Sequence, residues 1–350
     1  MNLAYLVGAP GIPTQGPSGA SAHVRSIVRA LREDHEVTCI AALEADRRGR
    51  FGEELHAVTT GAPGWPSWLA PWRELREVWA ARRVAARGID ERPLDGLIER
   101  HSLFSDAGWR AAERLAIPWV LEVNAPPVAE RLRYEQVRRP RWAEAWERDV
   151  LRAAPAIATV SEWLARWLRE EIGARRVSVV PNGVDPYVGD RTRGRTRIGD
   201  VTEPVVGFVG SPRYWPGCER VVTVARALGG TAVTVGLGEI DGAKSLGFLE
   251  GQALADVVAA FDLALAPYRA DIPPWGSSLK VRLYRAQGVP VVASDVVDCR
   301  SLVGDAGAVV DPADDDAFVD AARSWVGRRT APVARPWRDV GRDLVGLLTV

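Results

Sequence analysis

The feature that most constrains this chain is an alternation, kept up from end to end, between short apolar runs and helical patterns. Apolar runs stand at LAYLV (3–7), VTCIAA (37–42), GLI (96–98), WVLEV (119–123), AIATV (156–160) and VSVV (177–180). A second series starts at PVVGFVG (204–210) and continues through TAVTVG (231–236), SLGFL (245–249), LALAPY (263–268), VPVVAS (289–294) and GAVVD (307–311). Strands that are apolar throughout are buried on both faces, and alternating them with helices builds βαβ units around a parallel sheet. The expected fold class is therefore α/β, with two Rossmann-like domains, and 350 residues suffice for two separate cores. GDRTRGRTRIGD (189–200) is polar, rich in glycine and arginine and without periodicity, so it reads as a linker. The expected boundaries are a first domain at 1–185, a linker at 186–203, a second domain at 204–334 and a C-terminal helix within 335–350.

Charge and rare residues exclude several classes. With 45 basic and 45 acidic residues the net charge is zero, which gives no bulk attraction to nucleic acid. Lys244 and Lys280 are the sole lysines, and neither follows glycine, so no Walker A motif exists. Three dispersed cysteines without a CxxC fit a reducing compartment and argue against a disulfide framework or a cysteine zinc site. No HExxH is present, and no apolar run approaches the ~18 residues of a spanning helix, so the expectation is a cytoplasmic protein without a metal.

Ligands of open parallel sheets bind beyond the carboxyl ends of the strands, which directs attention to three loops. GAPGIPTQGPSGAS (8–21) is a glycine-rich loop before a helix, suited to a phosphate or sugar oxygen but without the GxGxxG spacing of a dinucleotide site. RYWPG (213–217) offers Arg213 beyond a strand. PPWGSSLKVRLYRAQGVPVVAS (273–294) places Ser277 and Ser278 at a helix start, with Lys280 one turn in, a pattern that suits an anion.

Taken in order, TVSEWL (159–164), PNGVD (181–185), GFVGSPRYWPG (207–217), APY (266–268) and SSLKVRLYRAQGVPVVAS (277–294) resemble the GT-B glycosyltransferases. They are similar in particular to the retaining, nucleotide-sugar-using group 4, a subgroup of which also carries segments like GIPTQGPSGASAHV, ERHSLF (99–104) and LEVNAPP (121–127). The resemblance implies two Rossmann-like domains flanking an interdomain cleft, the donor on the second, the acceptor on the first, and the last helix returning to the first. It implies donor contacts at Gly16, Gly19, Arg213, Phe248, Leu249, Ser277, Ser278, Leu279 and Lys280, with Arg213 and Lys280 neutralising the leaving diphosphate. Asn124 stands where many members carry a histidine beside the transferring sugar, and His101 follows a strand end where a general base or sugar contact could lie. His23 and Glu122 are the candidate acceptor contacts. One position departs from the family: Leu283 stands where a glutamate binds the donor ribose, and Trp275 replaces its upstream acidic partner.

The resemblance implies a metal-independent transferase that uses a nucleotide sugar as substrate, with no cofactor, and passes the sugar to a small-molecule acceptor such as a natural product. The competing expectation is a degenerate relative that binds a nucleotide or assists a partner enzyme; a nicotinamide-dependent enzyme ranks lower for want of the glycine fingerprint. Trp68, Trp72, Leu75 and Trp79 fall on one helical face, read as docking on the first domain in preference to membrane contact or an acceptor wall. Trp142/Trp146 and Trp163/Trp167 are read as core pairs, and Asp314–Asp316 as a helix cap.

Overall fold

The computed structural model describes the chain except residues 10, 45–49, 51–53, 56, 60–72, 90–92, 135–136, 211–216, 237 and 350, and describes the backbone alone at 58, 59, 73, 76, 80, 84, 85, 87 and 88. Arg213, Trp65, Trp68 and Trp72 lie outside the described residues. Two compact units are present, one formed by Met1–Asn182 with Trp337–Val350 and the other by Gly183–Pro336.

The first unit holds strands β1 (Asn2–Val7), β2 (Glu36–Ala41), β3 (Val58–Thr59), β4 (Gly96–Arg100), β5 (Trp119–Val123), β6 (Ala156–Thr159) and β7 (Val177–Val179). They form one parallel sheet in the order β3-β2-β1-β4-β5-β6-β7. Helices α1 (Gly19–Asp34), α2 (Arg73–Ile89), α3 (Ala107–Leu115), α4 (Pro127–Tyr134), α5 (Pro140–Ala153) and α6 (Glu162–Trp167) connect them. The second unit contains α7 (Arg191–Ile198), β8 (Val205–Val209), α8 (Glu219–Ala227), β9 (Thr231–Val235), β10 (Lys244–Ser245), α9 (Gly251–Ala259), β11 (Leu263–Ala266), α10 (Leu279–Ala286), β12 (Val291–Ser294), α11 (Cys299–Val303), β13 (Gly307–Val310) and α12 (Asp315–Trp325). Its parallel sheet runs β10-β9-β8-β11-β12-β13. In both sheets the strand order reverses beside the first strand, between β1 and β4 and between β8 and β11. Such switch points open a crevice at the carboxyl ends of those strands.

Both units are α/β and Rossmann-like, as the alternation predicts. The reason is visible in the burial: β4, β5, β6, β11 and β12 are buried at every residue, because helices cover both sheet faces. Leu97, Leu121 and Ile157 share one core with Ala111 of α3 and Leu151 of α5. Val233, Ala264 and Val291 share another with Val281 of α10.

The segment read as a linker is a helix. Asp190 caps α7 by accepting the Arg193 N–H at 2.7 Å. Its arginines then pair with buried carboxylates: Arg193 with Asp256 at 2.9 and 3.0 Å, Arg191 with Asp262 at 2.6 Å and Arg195 with Asp262 at 2.7 Å. Gly194 is a contact point, since a Cβ there would collide with the Asp256 carbonyl oxygen of α9. Ion pairs and close approach hold this helix, which is why no apolar stripe betrays it.

The helix at the chain end, α13 (Trp337–Leu348), packs on α1 within the first unit, with Gly341 against Ala30 and Leu31 and with Arg338 bonded to Asp34 at 2.9 Å. On α2 the expected docking face is corrected. Leu75 and Trp79 are exposed, and among the described side chains of α2 the apolar ones buried against the core are Val78, Ala81 and Ile89. Small side chains allow the helix to approach closely, and the Trp79 ring instead carries the Arg83 guanidinium at 4.5 Å. Trp142 stacks on Phe104 at 4.8 Å and packs beside Trp146, and Asp314 caps α12 by accepting the Ala317 N–H at 2.9 Å, as read from the sequence.

Candidate functional site

In the first unit the carboxyl ends of β1, β4 and β5 gather a polar cluster. Parallel register pairs Tyr5 with Ile98 and Arg100 with Glu122, so Tyr5, Arg100 and Glu122 leave the same sheet face. The Glu122 carboxylate is buried and fully engaged. Its Oε2 accepts the Tyr5 hydroxyl at 2.5 Å, and its Oε1 meets His23 Nε2 from α1 and the Asn124 amide at 3.0 Å. Burial pushes the Glu122 carboxyl up more than any other single influence does. The His23 and Arg100 charges, with the hydrogen bonds, outweigh it and bring the pKa down to about 2. Glu122 is thus an ionised hub whose oxygens are bonded by Tyr5, His23 and Asn124. His23 is buried and packs edge-on against the Trp337 ring of α13 at 5.2 Å.

His101 follows β4, and its backbone N–H donates to the Glu122 carbonyl at 2.8 Å. Its ring is buried, and neither ring nitrogen has a hydrogen-bond partner. Burial lowers its pKa to about 4, so the imidazole is neutral at pH 7 and suits hydrogen bonding to a ligand better than general-base work. The Gly16 carbonyl of the glycine loop is held by Arg25 at 3.0 Å, and Ser18 caps α1, which starts at Gly19.

In the second unit, the loop after β12 changes what the sequence leads one to expect of α10. Ser278 caps the helix, accepting the Val281 N–H at 3.4 Å and sharing a hydrogen bond with the Tyr268 hydroxyl at 2.8 Å. The Ser277 hydroxyl and the Ser278 N–H, expected to be open anion donors, are taken by Asp298, at 2.5 and 3.1 Å. Asp298 follows Val297, whose φ of 54° is a left-handed conformation unfavourable for a β-branched residue. Sequence reasoning missed Asp298 because nothing local marks a carboxylate that arrives from another loop.

Lys280 has a different environment. Its ammonium lies 4.2 Å from the centre of the Phe208 ring of β8 and 4.9 Å from that of Tyr268 after β11. No carboxylate pairs with it among the described residues. Gly210, at φ 144°, passes so close that a Cβ there would stand 3.2 Å from the Lys280 nitrogen. Burial lowers the Lys280 pKa to about 8. An uncompensated cation at the β8/β11 switch point, next to a helix N-terminus, has the electrostatics of a phosphate site. Phe248 is half-buried in the loop after β10, and Leu249 packs on the core. Leu283 also packs on that core, where a carboxylate would be desolvated. Leu279 opens the helix that carries Lys280. Among the described residues no group of three metal-ligating side chains occurs. No described helix is long and apolar enough to cross a membrane.

Comparison with known proteins places these geometries in a family. Residues 17–187 match the model for Glycosyltransferase Family 4, and residues 204–327 match that for Glycosyl transferases group 1. No curated protein matches the chain in sequence. Sucrose-phosphate synthase from Thermosynechococcus elongatus superposes with a TM-score of 0.69 at 18% identity, covering 99% of this chain and 94% of that one. HepE from Anabaena, in complex with UDP and glucose, gives 0.66 at 16% identity, covering 99% and 96%. AviGT4, a glycosyltransferase involved in avilamycin A biosynthesis, gives 0.56 at 17% identity, covering 99% and 94%.

Proposed function

This chain belongs to the GT-B glycosyltransferases, with a family 4 portion followed by a group 1 portion, and we propose that it transfers a sugar from a nucleoside diphosphate to a small-molecule acceptor, with retention and without a metal. The observation that carries the reading is the Lys280 ammonium, held against two aromatic rings at a sheet switch point with no carboxylate paired to it among the described residues. Charge develops on the diphosphate as the bond from the sugar C1 breaks. A fixed cation and a helix N-terminus stabilise that charge with no reorganisation. The acceptor oxygen forms the new bond to C1, and its proton passes to the departing phosphate oxygen, so no protein nucleophile is needed.

In the first unit, Glu122 holds His23 and Asn124 in place, and His101 and Asn124 present neutral hydrogen-bonding groups to sugar or acceptor hydroxyls. Gly16 and Gly19 flank the loop on the donor side, and Phe248, Leu249, Ser277, Ser278 and Leu279 frame the nucleotide. The complexes of HepE with UDP and UDP-glucose support UDP as the first nucleotide to try. The biosynthetic role of AviGT4 supports a natural-product acceptor. A thermal-shift series with UDP, GDP, TDP and ADP tests the donor reading. At least one nucleotide stabilises the protein and Lys280→Ala abolishes that shift; an unchanged shift removes Lys280 from the site.

Leu283 favours a second reading, a nucleotide-binding protein without turnover, because a core-packed leucine accepts no hydrogen bond from a ribose. Stabilisation by a nucleotide without release of nucleoside diphosphate from any nucleotide sugar would support it.

A further inference from the structure

Arg100 ends β4 at the switch point of the first sheet; the residue is buried at 8% exposure, and its Nη1 has no hydrogen-bond partner among the described residues. Arginine stays protonated in proteins, so a buried guanidinium needs a compensating anion. Glu122 attracts it through space, but no carboxylate among the described residues hydrogen-bonds it. Glu122, its register neighbour on β5, has its oxygens committed to Tyr5, His23 and Asn124. Asp106 in the next loop is taken by Arg82 at 2.5 and 2.8 Å and by Arg110 at 2.5 Å. Glu99 precedes Arg100 and so leaves the opposite sheet face, where it accepts the Ser105 hydroxyl at 2.7 Å. Burial raises its pKa to about 8, which keeps it largely neutral at pH 7.

Immediately after Arg100, His101 adds two buried ring nitrogens without partners. At the carboxyl end of β4, Arg100 Nη1 and both His101 ring nitrogens are thus buried without a hydrogen-bond partner among the described residues.

We infer that Arg100 is an acceptor-recognising residue that binds an oxyanion, so the acceptor of this glycosyltransferase carries a phosphate or carboxylate group, with His101 hydrogen-bonding a neighbouring hydroxyl. This rests on the glycosyltransferase reading for the word acceptor, while the anion site itself is independent of turnover. A planar guanidinium presents paired donors that match either oxyanion.

The test is a titration of the purified full-length chain with inorganic phosphate and, separately, with acetate, followed by NMR of the histidine ring Cε1–H groups. His23 and His101 are assigned by substitution to glutamine. Saturable movement of the His23 or His101 signal is expected with at least one anion, and which anion acts distinguishes phosphate from carboxylate. Arg100→Gln weakens that binding at least tenfold, and Arg100→Lys, which keeps the charge but not the paired donors, weakens it less. An unchanged His35 signal and an unchanged far-UV circular dichroism spectrum confirm that each variant is folded. Lys280→Ala leaves the titration unaltered, which separates this site from the diphosphate site. The inference is overturned if neither anion moves either signal, if folded Arg100→Gln binds as the parent does, or if the response disappears in Lys280→Ala. Failure here leaves donor turnover untouched, and failure of turnover leaves the anion titration standing.

Discussion

Replacing Glu122 by glutamine isolates the charge of the buried hub. Glutamine is an uncharged isostere of the protonated acid, and it can keep partners for Tyr5 and Asn124 while losing the attraction to His23 and Arg100. The carboxyl pKa falls from 4.5 to about 2 on folding, a net result that already contains the opposing burial. At ~1.4 kcal/mol per pKa unit, this gives a ceiling of about 3 kcal/mol of stability carried by the ionised form. Because the folded pKa is the depressed one, that stability is fully present above pH 4.5 and is lost as pH falls toward 2. Differential scanning calorimetry at pH 7 should show the transition of the first unit lowered by roughly 6–12 °C for Glu122→Gln, from the usual ~2–4 °C per kcal/mol for a unit of this size. The gap to the parent should hold between pH 7 and 5 and narrow below pH 4. A shift under ~1 °C at pH 7, or a gap that widens on acidification, refutes the hub as an ionised carboxylate.

Three further outcomes follow from the same geometry. Gly194→Ala forces α7 off the Asp256 carbonyl and should destabilise the second unit by roughly 1–3 kcal/mol, read by urea unfolding of the full chain. UDP affinity should fall as pH rises through about 8, since the Lys280 cation that meets the diphosphate is lost there; calorimetric titration from pH 6.5 to 9 that gives a flat profile counts against this role. Asp298→Asn keeps a hydrogen-bond acceptor for the 277–278 turn and removes a negative charge from the N-terminus of α10, so UDP binding should tighten several-fold, and weaker binding would show that the carboxylate serves the ligand.

The fold was legible because βαβ architecture writes itself into the chain as buried apolar runs, such as GLI at 96–98 and LALA at 263–266, each followed by a helical period. The reading failed at α7, where arginines and glycines form a helix against buried Asp256 and Asp262. Such a helix has no hydrophobic stripe, so periodicity cannot find it. At the candidate sites, Lys280 stood out as one of two lysines, and the structure sets it over Phe208 with no carboxylate paired to it among the described residues. Asp298 and Arg100 were not legible. The first reaches Ser277 from another loop, and the second is one arginine among 43, picked out only once the fold buries it beside His101. Glu122 was read as an acceptor contact; its side-chain bonds to Tyr5 and His23, 117 and 99 residues away, were not legible because those groups meet only once β1, α1 and β5 are assembled.

The central claim is sugar transfer, and it is tested most directly by following the anomeric protons by NMR when the purified chain meets the nucleotide sugar whose nucleotide stabilises it best. The account predicts release of nucleoside diphosphate, with the first-formed sugar product keeping the donor's anomeric configuration, and loss of both signals in Lys280→Ala. A first-formed product of opposite configuration would contradict retention, and nucleotide binding with no release at all would contradict the transferase reading itself.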